Sequence, residues 1–135
     1  MNVSEFMIQP AITVTEKTPA RDVLRFCLEF DLHHLPVVRG EKFVGMVSAR
    51  DVEKKLFMSD DQRLTEDLMR ILTEEIMSPH DGEHLLPQWN FDVALNTFLE
   101  SGKSIMPVIS PDTTLIGIVT ATDFLRVVRN GLLVQ

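Results

Sequence analysis

Two stretches of the chain carry side chains suited to one kind of chemistry: Gly45-Met-Val-Ser48-Ala-Arg-Asp51 and Gly117-Ile-Val-Thr120-Ala-Thr-Asp123. Each sets a hydroxyl three residues ahead of a carboxylate, with a glycine three residues ahead of the hydroxyl. A strand that ends at a helix N-terminus points unpaired N–H groups and positive dipole at whatever lies above it, which suits a phosphate. The hydroxyl can donate to a phosphate or sugar oxygen, and the carboxylate can accept from two vicinal ribose hydroxyls. The same spacing also makes a helix capping box, in which hydroxyl and acid close the first turn on themselves. Both readings stand on the sequence. The glycine allows close approach of backbone, either to a ligand or between strands.

Other constellations point to less. Adjacent His33 and His34 on an extended segment project to opposite sides, with no third ligand at a useful spacing, so no metal site is predicted. His80 and His84 flank Asp81-Gly82, which predicts a loop and solvated rings. The chain has no Ser-His-Asp pattern, paired carboxylates or Gly-rich phosphate loop, so neither catalysis nor a catalytic cofactor is expected. Cys27, the single cysteine, falls on an apolar helical face and is expected to be a buried, inert thiol.

The elements that must position these residues come twice. Residues 22–38 align without a gap on residues 93–109, placing Leu24 on Leu95, Leu28 on Leu99, Glu29 on Glu100 and Pro36 on Pro107. After one inserted residue, Gly45–Val52 falls on Gly117–Phe124, and upstream Glu5–Pro10 resembles Glu74–Pro79. In the first copy Val23, Leu24, Cys27 and Leu28 form an apolar helix face opened by Thr18-Pro19, predicting a helix from about Pro19 to Phe30. Leu35–Val38 and Phe43–Val47 read as strands joined by the turn Arg39–Lys42. Ser48–Asp51 then opens a second helix through Leu56. The second copy repeats the plan, with Pro111-Asp112 as the turn and Thr120–Asp123 opening the last helix. From Glu53 to Met77 there is no Gly or Pro, and Leu56, Leu64, Leu68, Leu72 and Ile76 predict a mostly helical connector, broken near Ser59-Asp60-Asp61. The expected boundaries are 1–58 for the first repeat, 59–73 for the connector and 74–135 for the second repeat. Neither copy offers enough apolar area alone, so the two are expected to pack into one domain.

At 135 residues, 44% hydrophobic and 24% charged, the chain has the balance of a soluble globular protein. A net charge of −7 without a basic stripe argues against nucleic acid as a partner. No apolar run approaches the roughly 18 residues of a membrane span. The first ten residues lack the basic-then-apolar order of a secretory signal, so the cytoplasm is the expected location. Apolar faces left over, including Leu125, Val127 and Val128 beside Phe124 in the last helix, suggest a homodimer.

The duplicated Gly-x-x-(Ser/Thr)-x-x-Asp, the two Pro-Val-(Val/Ile) strands and the spacing of the copies resemble a tandem CBS-domain pair, also called a Bateman module, over roughly Val3 to Val128. The resemblance implies an α/β (α+β) fold of two β-α-β-β-α repeats packed about a pseudo-two-fold axis, with two clefts between them. It further implies a regulatory module that binds an adenosine nucleotide (AMP, ADP or ATP) and signals through conformation or dimer change to an unidentified regulated protein. One implied cleft groups Ser48, Arg50 and Asp51 with Ser104, Ile105 and Met106. The other groups Thr120, Thr122 and Asp123 with His33, His34 and Ile12. Adenine is expected to be read by backbone groups beside Leu35-Pro36 or Pro107. The Thr120/Asp123 cleft is expected to be the better occupied, because His33 and His34 could approach phosphate there and Arg126 lies one helical turn beyond Asp123. The alternatives are a structural or dimerisation module with vestigial clefts, or a sensor of S-adenosylmethionine or NAD.

Overall fold

The structure is a computed structural model that describes residues 1–57 and 68–134. The chain forms two compact units, residues 12–81 and residues 1–11 with 82–135.

The first of these units contains β1 (Val14–Thr15), α1 (Ala20–Glu29), β2 (His34–Arg39), β3 (Lys42–Ser48), α2 (Ala49–Phe57), α3 (Thr73–Ile76) and β4 (Ser78–Pro79). Its sheet runs in the order β1-β2-β3-β4, with β1 parallel to β2 and the other pairs antiparallel. Leu35 to Val38 of β2 are all buried, as in a strand covered on both faces, whereas β3 alternates buried Phe43, Gly45 and Val47 with half-buried Val44 and Met46. The core comprises Val14, Ala20, Val23, Cys27, Leu35, Val37, Val47 and Val52. The buried stripe of α1 is therefore Ala20, Val23 and Cys27. Leu28, expected on that face, is 84% exposed, because it lies about 100° around the helix from Cys27 and so off the buried stripe. Burial pushes the Cys27 thiol above its ordinary pKa, so it stays protonated and inert, as expected.

The second unit contains a 3₁₀ turn (Val3–Glu5), α4 (Phe91–Ser101), β5 (Ile105–Ile109), β6 (Leu115–Thr120) and α5 (Ala121–Val134). β5 and β6 pair antiparallel from Ile105↔Thr120 to Ile109↔Leu115. Leu85 bridges Val108 in parallel, as β1 does β2, and Ile8 bridges Ile118 antiparallel, as β4 does β3. Val3, Leu85, Ala94, Phe98, Met106, Val108, Val119 and Phe124 form the core. Around Phe124, the rings of Phe6, Phe91 and Phe98 meet at centroid distances of 5.4, 5.7 and 4.9 Å.

The leading segment of each unit is not contiguous with its repeat. Residues 1–8 serve the second repeat: Val3 N–H donates to Trp89 O, and Phe91 N–H to Met1 O. Residues 71–79 do the same for the first: Thr73 N–H donates to Thr18 O, and Ala20 N–H to Ile71 O. Asn2 N–H donates to Glu5 Oε2 and Leu72 N–H to Glu75 Oε2, each at 2.6 Å. Glu5 thus matches Glu75, not Glu74, and the upstream alignment shifts by one residue.

Two helix boundaries also move. Pro19 is the extended N-cap of α1 and not its first helical residue, since its ψ is 146°; the Thr18 hydroxyl instead accepts from Thr15 N–H. Among the described residues, the predicted connector helix does not run through to Met77. Residues 68–70 are helical, but Leu72 is extended at ψ 152° to reach the edge of α1, which ends the run before α3. The predicted break at Ser59–Asp61 lies outside the described residues.

Candidate functional site

Each duplicated motif spans a strand-to-helix junction, β3 to α2 in the first unit and β6 to α5 in the second. The glycines are there for the strands. A Cβ on Gly45 would collide with the Ser78 carbonyl oxygen and come within 2.5 Å of Met77 Cε. One on Gly117 would sit 2.7 Å from the Ile8 carbonyl oxygen. Both glycines therefore admit the leading segment against the hairpin.

At the first junction, Ser48 N–H donates to Asp51 Oδ2 at 2.8 Å and Asp51 N–H donates to Ser48 Oγ at 3.1 Å, a reciprocal capping box. The capping reading of the sequence is thus present, and it uses one carboxylate oxygen. Asp51 is half-buried, and its Oδ1 has no hydrogen-bond partner among the described residues. The pairing His34↔Ser48 sets the start of β2 beside this turn. Together His33, His34, Ser48, Ala49, Arg50 and Glu53 line a cavity of about 570 Å³. Burial holds His34 below the ordinary imidazole pKa of 6.5; the charge of Asp51 opposes that shift and His33 adds to it. Arg50 can meet an anion in this cavity and a bound anion would draw a proton onto His34, with the Glu53 carboxylate opposing it.

The second junction is closed more tightly. Thr120 N–H and Thr120 Oγ1–H both donate to Asp123 Oδ2, at 2.7 and 3.0 Å, and Arg126 approaches Oδ1 at 3.5 Å. Asp123 is only 4% exposed. The Thr120 hydroxyl hydrogen is spent on this carboxylate. The start of β5 lies alongside, since Ile105 pairs with Thr120 and Ala121 N–H donates to Ser104 O.

Each unit therefore gathers its own hairpin start and helix start: His33 and His34 with Ser48 and Arg50, and Ser104 and Ile105 with Thr120 to Thr122. Ser104, Thr122 and Ile12 are exposed; Leu35, Pro36, Met106 and Pro107 are buried in the two strands, which leaves their backbones as the reading groups. The sequence reading passed over Ala49 and Glu53, whose place in the cavity follows from the first turn of α2. It also misjudged two histidines. His80 is half-buried, edge-on to Phe43 at 4.9 Å, and His84 is half-buried, stacked on Trp89 at 6.3 Å with Nδ1 on Gly82 O at 2.8 Å. The Asp81-Gly82 turn folds back on each unit's own aromatic residue, which the turn chemistry alone does not reveal. Among the described residues, no three His, Cys, Asp or Glu side chains converge as a metal would need, and no helix is long and apolar enough to cross a membrane.

The family model for the CBS domain matches this chain twice, over residues 3–57 and 73–130. The chain belongs to the CBS-domain family. As a CBS pair it is similar to an uncharacterised protein of Methanocaldococcus jannaschii, 28% identical over 126 residues, covering 93% of the chain and 43% of that protein. It is also similar to the inosine-5'-monophosphate dehydrogenase of Korarchaeum cryptofilum, 31% identical over 118 residues, which make up 87% of the chain and 22% of the enzyme. The CBS pair thus spans less than half of either relative. Among solved structures, CBSX2 in complex with AMP superposes with a TM-score of 0.80 at 24% identity, covering 96% of this chain and 97% of that one. The CBS-domain pair of MJ0100, solved with 5'-methylthioadenosine and S-adenosylmethionine, gives 0.79 at 21% identity, covering 97% and 98%. The α+β fold of two repeats is that of these pairs.

Proposed function

We propose that this CBS pair is a cytoplasmic, non-catalytic regulatory module that binds an adenosine nucleotide, AMP, ADP or ATP, in clefts drawing on both repeats. The observation that carries this reading is the hydroxyl-x-x-aspartate turn, found twice at a strand-to-helix junction beside the start of a buried hairpin strand. In each cleft an aspartate accepts from the ribose, the backbone beside Pro36 or Pro107 reads adenine, and helix-start N–H groups meet phosphate. The two groupings are those of the resemblance: Ser48, Arg50 and Asp51 with Ser104, Ile105 and Met106, and Thr120, Thr122 and Asp123 with His33, His34 and Ile12. The nucleotide complex of CBSX2 supports the ligand class.

Asp51 is the readier ribose acceptor, with one carboxylate oxygen open. Arg126, which the sequence suggested for phosphate, is turned onto Asp123 and must release it before both oxygens can serve a ribose. Binding changes the packing of the repeats or the dimer, and a regulated protein responds; the ligand must bind the two states with different affinity to do this.

Titration calorimetry with AMP, ADP, ATP, NAD and S-adenosylmethionine tests the reading, alongside Asp51→Ala and Asp123→Ala. A Kd below about 1 mM for at least one, weakened about tenfold or more by Asp51→Ala, is the expected result. No binding by any of the five, or affinity unchanged in both variants, rejects it. The exposed apolar residues Leu28, Leu99, Leu125 and Val128 favour a second reading, in which self-association is the whole function. A thermal shift of several degrees on adding nucleotide would count against that reading, because only native-state binding raises stability.

A further inference from the structure

The cavity of about 570 Å³ at the start of α2 holds charges of both signs. Ala49, Arg50 and Glu53 line it from the one helix, at relative positions i, i+1 and i+4. That spacing is a single helical face, so the cavity runs from the unpaired N–H groups of the helix start along the first full turn. The helix start and the Arg50 guanidinium favour negative charge there. Glu53 lies about 6 Å along the axis from Ala49 and brings a negative charge of its own. No lysine and no second arginine lines the cavity. Arg50 and Glu53, three residues apart, form no ion pair with each other or with another described residue, so neither charge is cancelled by a fixed partner. The remaining charge-bearing groups are the imidazoles of His33 and His34.

From this lining we infer that Glu53 is a specificity-determining residue that makes the cavity selective for a nucleoside monophosphate: Arg50 and the helix start hold one phosphate group, and the Glu53 carboxylate repels a second and a third. The inference rests on the nucleotide reading above and names which ligand of that class this cavity takes. Each added phosphate brings about one further negative charge to a space whose one guanidinium is already engaged. At a separation of roughly 8 Å, near a protein surface, that repulsion lowers affinity about threefold or more per charge, and salt weakens it.

The experiment titrates the full, isotope-labelled chain with AMP, ADP and ATP and follows the backbone amides of Ala49 and Arg50 by heteronuclear NMR, which reports on this cavity directly. It is run at about pH 8, where imidazoles are neutral, at constant ionic strength and with EDTA so that no divalent cation masks the added phosphates. Saturable shifts of both amides, with ATP about tenfold weaker than AMP and ADP between them, are the expected result. In Glu53→Gln the ratio of the ATP to the AMP dissociation constant should fall to about threefold or less. Glu53 is exposed, so the variant should fold as the parent does, and the rest of the amide spectrum checks this. Glu41→Gln removes an exposed acid of the β2–β3 turn that does not line the cavity, and should leave the ratio at its parental value. ATP binding as tightly as AMP, a ratio that Glu53→Gln leaves unchanged, or one that Glu41→Gln lowers as much overturns the inference and leaves the nucleotide reading standing. Shifts confined to amides elsewhere do the same. No response to any of the three nucleotides anywhere in the spectrum overturns both.

Discussion

The two strand-to-helix junctions descend from one sequence pattern yet hold their carboxylates differently. At Ser48–Asp51 the acid uses one oxygen in the capping box, and the other has no hydrogen-bond partner among the described residues. At Thr120–Asp123 the acid is buried under a hydroxyl, a backbone N–H and a guanidinium. The difference lies in two substitutions: threonine for serine, whose hydroxyl is turned onto the acid, and Arg126 one turn along the helix. In the first copy, Lys54 occupies the position of Arg126 and has no ion pair with Asp51 among the described residues. One repeat has drifted toward a structural cap and the other toward an open acceptor.

The largest effects should come where the two junctions agree. Gly45→Ala is expected to cost about 3 kcal/mol and Gly117→Ala about 2 kcal/mol in urea unfolding, since each places a methyl group into a backbone oxygen and the approach at Gly45 is the shorter. If both variants keep parental stability but lose nucleotide binding, the glycines serve the ligand and not the strands.

The junctions should part company at their acids. Asp123→Ala is expected to cost about 2 kcal/mol, because it removes a buried carboxylate and strips the half-buried Thr120 N–H and hydroxyl of their acceptor. Asp51→Ala should cost about 1 kcal/mol, the loss of a helix cap. Nucleotide affinity should follow the reverse order. Equal stability losses in the two variants would erase the distinction between cap and open acceptor.

Much of this was legible from residue types alone. The repeat, the paired strands and the turn before each second helix rest on short-range rules of periodicity and capping, and those rules hold at Leu35–Val38 and Ser48–Asp51. What the sequence concealed depends on contacts distant along the chain. The leading segments pass to the other repeat, so nothing near Gly45 announces Ser78. Leu72 keeps helical spacing while its backbone is extended, because hydrogen bonds from Thr73 and Ala20 tie that segment to the N-terminus of α1. Asp123 and Asp51 occupy matching positions in the alignment, and only the placement of the Thr120 and Arg126 side chains tells them apart.

Acidity offers a further test, because the start of β2 carries His34 where the start of β5 carries Ile105. The folded-state pKa of His34 is lowered, chiefly by burial, so the unfolded chain binds the proton more readily. Its contribution to stability is therefore present above pH 6.5 and lost as the pH falls from there through the lowered value. Urea unfolding across pH 7.5 to 5 should show this slope in the parent and a flatter one in His34→Gln. A variant with an unchanged slope would place the titration elsewhere. Nucleotide phosphate beside His34 should raise its pKa again, making binding tighter toward pH 6.

The smallest effect is expected at the leading segments, where the two units solve one packing problem with different atoms. Thr73 and Val3 are matching residues, both completely buried, and both donate their backbone N–H to the loop before the following helix. Thr73 adds a second bond, from Oγ1–H to Thr18 O at 2.7 Å. That carbonyl already accepts from Thr73 N–H at 2.9 Å, so removing the hydroxyl leaves no buried acceptor unpaired. Thr73→Val should therefore cost about 0.5 kcal/mol or less, whereas Val3→Thr, which buries a hydroxyl against the apolar cluster of Leu85 and Phe124, should cost about 1 to 2 kcal/mol. If Thr73→Val proves the more damaging, the side-chain bond at Thr18, and not the backbone pair common to both units, holds the exchanged segment in place.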